Sequence, residues 1–234
     1  MSLKNITLLD LIETCDEPGC LVCTLRKKVV AGYIRMLFHE HVNDPPSRDK
    51  LRYSYGLCYE HIWLAIDVNL GNALGVAIIS NDVMGKLLED LGNVSAKTRR
   101  FTAVKKFVGA SQGEAILFPE KRCPVCVHEE EMLKRILKTL VQSIQKTELS
   151  DAIRRSDGMC LPHLRQSVAV SPSSEASQIL LELAREHWEQ LRSELAEFIR
   201  KNDYRFSKEG FGEERDSWLR ATTTLTGNRP VRGS

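Results

Sequence analysis

The stretch Leu51-Arg52-Tyr53-Ser54-Tyr55-Gly56-Leu57-Cys58-Tyr59-Glu60-His61-Ile62 returns as Ile153-Arg154-Arg155-Ser156-Asp157-Gly158-Met159-Cys160-Leu161-Pro162-His163-Leu164, 102 positions later. Both copies fit (Leu/Ile)-Arg-x-Ser-x-Gly-(Leu/Met)-Cys-x-x-His-(Ile/Leu). Upstream, Cys20-Leu21-Val22-Cys23 returns as Cys123-Pro124-Val125-Cys126, 103 positions on, so the halves differ by one residue over this span. Motifs kept in order and spacing in this way mark an internal duplication.

The residues between the motifs agree as well. Val22, Val29, Val30, Tyr33, Ile34, Leu37 and Phe38 follow the first Cys-x-x-Cys. Val125, Met132, Leu133, Ile136, Leu137, Leu140 and Val141 stand in the same register behind the second. Steps of three, four and seven residues put one apolar stripe on a helix, so long helices are expected over roughly 22–43 and 125–147. Short helices over 47–54 and 148–155 follow, and Gly56 and Gly158 stop them, because glycine takes positive φ at little cost. A further helix starts at Cys58 and at Cys160, and a last long one covers roughly 72–92 and 173–201. Asn43-Asp44-Pro45-Pro46 and Ser171-Pro172-Ser173-Ser174 carry turn and N-cap chemistry. No segment alternates with a period of two. The expected fold is all-α and internally duplicated, with pseudo-twofold halves that are each a helical bundle. Residues 1–95 form the first repeat, 96–117 a basic linker, 118–202 the second repeat, and 203–234 a C-terminal extension without fixed structure from 221 on.

Two residues three apart can converge on one ion, and zinc thiolate sites are assembled from such pairs. The expected ligands are Cys20, Cys23, Cys58 and His61 in the first half, and Cys123, Cys126, Cys160 and His163 in the second. A long helix running out and a short one running back would close each set within its own half, although pairing across the halves is also open. Both pairs fall where helices begin, where free N–H groups and the helix dipole favour thiolates. Three thiolates and an imidazole close the coordination sphere, which makes two structural zinc ions the favoured reading and iron–sulfur clusters the alternative. Thioredoxin-like chemistry lacks its βαβ surroundings. Cys15 has no counterpart and reads as a packed or free thiol. His128 has Leu25 at its matching position in the repeat and reads as a surface histidine, and His39, His41 and His187 read as surface or satisfied side chains.

The 234 residues carry a net charge of +2, which argues for neither nucleic acid nor anionic membrane as a bulk partner. Seven cysteines in a chain that opens without a signal-peptide core suit a reducing compartment, so cytoplasm is expected. No apolar run reaches the ~20 residues of a membrane span. Residues 97–106 hold Lys97, Arg99, Arg100, Lys105 and Lys106 with no acid. That stretch could meet nucleic acid phosphates, with a solvated helix face as the blander reading. Gly-x-x-x-x-Gly-Lys-Ser/Thr, Gly-x-Ser-x-Gly, His-Glu-x-x-His and Gly-x-Gly-x-x-Gly are all missing, so the chain leans away from an enzyme.

Cys123-Pro124-Val125-Cys126 … Gly158-Met159-Cys160-Leu161-Pro162-His163, its earlier copy, and the tail Asp203-Tyr204-Arg205-Phe206 … Trp218-Leu219-Arg220 together resemble a family of uncharacterised prokaryotic proteins. That family repeats the Cys-x-x-C and Gly-x-Cys-x-x-His motifs in predicted helices. The resemblance covers most of residues 18–220 and implies a domain of unknown function. The expectation is therefore a metal-binding helical protein acting through a protein or nucleic acid partner, with an iron–sulfur or thiol-based sensor as the rival.

Overall fold

A computed structural model describes residues 6–102, 118–171, 173–206 and 208–229. Among them the regular structure is helical, with no strand. The α-helices are α1 (Leu8–Thr14), α2 (Leu21–His39), α3 (Pro45–Tyr53), α4 (Tyr59–Asp67) and α5 (Ala73–Thr102), then α6 (Pro124–Ser143), α7 (Thr147–Arg155), α8 (Leu161–Ala169), α9 (Ser174–Lys201) and α10 (Ser217–Thr226). Two 3-10 turns, Tyr204–Phe206 and Glu213–Asp216, precede α10.

Local chemistry accounts for the boundaries. Thr7 and Asp10 form a capping box on α1. Asp44 accepts the Ser47 N–H ahead of Pro45, and Ser173 accepts the Ala176 N–H, so both expected turns are N-caps. Gly56 and Gly158 sit at φ 90° and 71° after α3 and α7, as the stop signals require. Gly158 is also closely packed, since a Cβ there would stand 3.3 Å from the His187 ring. His187 Nδ1 and Nε2 lie 2.7 Å and 2.8 Å from the carbonyl oxygens of Leu183 and Ser156, tying α9 to the turn ahead of Cys160.

The described residues divide into two compact units. The first joins 6–29 to 130–229, and the second is 30–129. These units cut across the sequence repeats. The stripe of α2 is buried as expected, but Val22 and Val29 belong to the core of the first unit, whereas Val30, Ile34, Leu37 and Phe38 belong to that of the second. The stripe of α6 does the reverse: Val125 lies in the second core, and Met132, Ile136, Leu137, Leu140 and Val141 lie in the first. One periodic pattern thus serves two cores in succession, which periodicity alone does not reveal.

Two further differences concern ends. α5 runs to Thr102 and so continues past its expected end near 92 into the linker; Gly92 does not stop it, because one helical glycine costs only about 1 kcal/mol. The rest of the linker, 103–117, and the side chains of 94–102 lie outside the described residues, and with them the basic set of 97–106. The segment expected to lack structure beyond 221 is helical to Thr226 and described to 229. Its anchor is the turn before α10: the Glu214 carboxylate is buried and takes Lys201 Nζ at 2.7 Å and the Gly212 N–H at 2.9 Å. Ser217 is fully buried at the start of α10.

Candidate metal centres

Within the first unit, Gly19 donates its N–H to Asp157 at 2.7 Å and Leu21 donates to the Gly158 carbonyl at 3.3 Å. These bonds bring the start of α2 onto the turn before α8. Cys20 and Cys23 thereby meet Cys160 and His163, all four ligand atoms within 4.8 Å of one another. The second unit repeats the device: Lys121 donates its N–H to the Tyr53 carbonyl at 2.9 Å, and Cys123 and Cys126 meet Cys58 and His61, again within 4.8 Å. All eight expected ligands therefore gather in two clusters. The pairing within each half is corrected: each Cys-x-x-Cys joins the Cys-x-x-His of the other repeat. The reason is reach. α2 spans about 28 Å at 1.5 Å per residue, and nine-residue α3 can retrace only about 13 Å of it. Cys58 is thus left well short of Cys20.

The spacing fits ligands around one ion. Tetrahedral zinc, with Zn–S near 2.3 Å and Zn–N near 2.0–2.1 Å, implies edges of about 3.8 Å between sulfurs and about 3.6 Å between sulfur and nitrogen. In the first cluster Cys23 and Cys160 Sγ are 3.8 Å apart, and His163 Nδ1 lies 3.6, 3.3 and 3.2 Å from the sulfurs of Cys20, Cys23 and Cys160. In the second, Cys58 and Cys126 Sγ are 3.6 Å apart, and His61 Nδ1 lies 3.1, 3.8 and 3.4 Å from Cys58, Cys123 and Cys126. No cysteine among them is in a disulfide. Each cluster could hold a metal ion.

Cys58 and Cys160 take the N-cap positions of α4 and α8 without a side-chain cap bond, so their sulfurs remain available to the cluster. The clusters are shielded, with Cys20, Cys160, His163, Cys123 and His61 buried and Cys23, Cys58 and Cys126 half-buried. Crowding shows in their protonation. Burial alone would lower the pKa of His61, but hydrogen bonds to Cys123 and Glu129 and the fields of Cys58 and Cys123 raise it to about 10. His163 is raised to about 9 against its burial by Cys160 and Cys23. Burial would raise Cys123, yet the His61 hydrogen bond and the backbone N–H groups of Cys58, Cys126 and Val125 bring it to about 6. Burial and the neighbouring Cys58 and Cys123 push Cys126 up to about 12. Cys23 is held low by hydrogen bonds from Cys160 and Cys20, and Cys20 is correspondingly raised. Each cluster thus crowds three thiol groups and one imidazole around a single point.

Outer groups differ between the units, and the sequence had not singled them out. His61 Nε2 lies 3.5 Å from the Glu129 carboxylate, on the same helix face as Cys126, an arrangement that fixes a ligating imidazole through its far nitrogen. The first cluster is capped from the C-terminal tail. Gly227, at φ 100°, turns the chain off α10, and Asn228 then accepts the Cys20 N–H at 2.7 Å and donates to Thr24 Oγ1 at 3.0 Å. The Asn228 backbone N–H donates to Cys23 Sγ at 3.4 Å. Glycine followed by asparagine after a helix was the available signal. Cys15 stands outside both clusters: its thiol donates to the Leu11 carbonyl at 3.3 Å, and burial raises it to about 11. His128 is half-buried and stacks on Tyr33, with ring centroids 4.3 Å apart.

A family of unknown function, DUF6062, matches residues 1–232. The chain belongs to DUF6062. Another protein similar to it is an uncharacterised 23.9 kDa protein in the xynA 3′ region of Caldicellulosiruptor sp. (strain Rt8B.4), 24% identical over 198 residues that cover 83% of this chain and 88% of the other. No solved structure matches this DUF6062 chain. The sequence resemblance and the family agree, and neither names a metal or an activity. No described helix is long and apolar enough to cross a membrane.

Proposed function

We propose that this protein binds two zinc ions, one in each compact unit, and that the ions are structural. The observation carrying this is the close approach of three sulfurs and one imidazole nitrogen in both clusters, all within 4.8 Å of one another. In an iron–sulfur cluster the cysteines bind separate irons around inorganic sulfide, so their sulfurs stand farther apart than around one ion. The observed spacing supports a single ion instead. Zinc suits a thiolate-rich tetrahedral set, and four protein ligands leave no open position for a substrate. A closed pair of sites supports a non-enzymatic role exercised through a macromolecular partner. When bound, zinc would supply a fixed cross-link between the start of α2 and α8, and between the start of α6 and α4.

Elemental analysis of protein purified without oxygen tests the reading. Two zinc ions per chain and no visible absorption are expected. Iron with inorganic sulfide and a brown colour would overturn it in favour of a cluster, and helical protein with no metal would overturn metal binding altogether.

A further inference from the structure

The first unit contains a cavity of about 580 Å³ with the cluster residues Cys20 and Cys160 in its wall. It opens among the start of α2, the end of α7, the middle of α9 and α10. That volume falls in the usual range for small-molecule sites. Its charges are unbalanced in a specific way. Of the acids facing it, Glu194 and Asp216 both hold Arg220, and Asp157, which accepts the Gly19 N–H, is the one without an ion pair among the described residues. Three cations facing it, Lys27, Arg155 and Arg229, have no ion-pair partner among the described residues. They come from three separate segments, so the chain converges positive charge on one space, which Leu191 and Leu219 line with apolar surface.

The duplication supplies a control. Both units keep the cysteines, the histidine and the glycine turn, so the ligand set itself is common to both. Lys27 and Arg155 are not: the repeat places Glu130 and Tyr53 at those positions. In the second unit the Tyr53 ring lies under Lys121, with Nζ 4.8 Å from the ring centroid. The unpaired cations are therefore an addition of the first unit and not part of holding a metal.

We propose that this cavity binds a phosphate-bearing small molecule of about nucleotide size, its phosphate groups held by Lys27, Arg155 and Arg229 and its apolar part against Leu191 and Leu219. Arginine and lysine donate charge-assisted hydrogen bonds to phosphate oxygens, and three such groups on separate segments suit a ligand with more than one negative charge.

Isothermal titration of the metal-loaded full-length chain with ADP, ribose 5-phosphate and pyrophosphate tests the proposal. ADP should saturate a single site, with affinity that falls as ionic strength rises. Lys27→Ala with Arg155→Ala should weaken it on the order of tenfold or more, at unchanged metal content and helicity. Lys134→Ala, at an exposed ion pair with Glu130, should leave binding unchanged. Stronger binding of ADP than of ribose 5-phosphate or pyrophosphate points to a nucleotide; stronger binding of ribose 5-phosphate points to a sugar phosphate. The proposal is overturned if none of the three saturates, if the double variant binds as the parent does, or if only a single-stranded oligonucleotide binds. Metal content is read separately, so failure here leaves the zinc reading standing and the reverse also holds.

Discussion

At the scale of residues, the two glycines that precede Cys58 and Cys160 look equivalent in sequence but not in their surroundings. Both hold a positive φ, yet a Cβ at Gly56 would meet nothing within 4 Å, whereas one at Gly158 would meet the His187 ring. Alanine at either position carries the left-handed backbone cost of about 1–2 kcal/mol. Gly158→Ala should cost more than Gly56→Ala in chemical denaturation, and equal losses would contradict the packing described. Glu129 is a second residue whose role is testable, because losing a carboxylate behind a ligating histidine lowers metal affinity by roughly 10–100-fold. Glu129→Ala should therefore speed transfer of one ion to a chelator and leave the other slow. Two ions released at unchanged rates would exclude its part in holding His61. The eight residues of the two clusters could be read from their repeated spacing. Glu129 could not, because it belongs to no motif, and Gly227-Asn228 signals only a helix end, since each side chain acts through a partner fixed only by tertiary structure.

At the scale of elements, helix starts and stops followed from caps and glycines that act locally, so α2 to α4 and α6 to α9 fall close to where the sequence puts them. α10 did not, since its position depends on Glu214, a charge whose value comes from burial against Lys201. The Lys201 ammonium, followed by the N–H groups of Gly212 and Glu214, lowers the Glu214 pKa from its ordinary 4.5 to about 2. A lowered carboxylate pKa means the charged form is favoured in the folded state. The contribution is thus present above about pH 4.5 and lost as pH falls through about 2. Glu214→Gln should remove that part of the acid dependence, measured as stability against pH over this range. An unchanged profile would show that Glu214 does not hold the turn. Ending the chain at Asp216 removes α10 and Asn228 together. The first cluster should then lose its ion to a chelator faster, and its Cys23 thiol should react faster once stripped, with the second cluster unaffected. Equal behaviour of both clusters would contradict the cap.

At the scale of the whole molecule, the apolar stripes of α2 and α6 predicted helices correctly and said nothing about which core each part of the stripe enters. A stripe of constant period is the same whether one core or two receive it, and only the lengths of α2 and α3 argue against closure within a half. The crossed pairing follows from that geometry, and it makes each unit a product of both repeats. Because metal binding energy is folding energy in sites of this kind, stripping the ions should lower the thermal stability of both units. The direct test of the crossing counts metal per chain in two double variants purified without oxygen. Cys23→Ser with Cys160→Ser damages one cluster, so one ion should remain; Cys23→Ser with Cys58→Ser damages both, so neither should. One ion kept by the Cys23/Cys58 variant and none by the Cys23/Cys160 variant would contradict the account and return the sites to the separate halves.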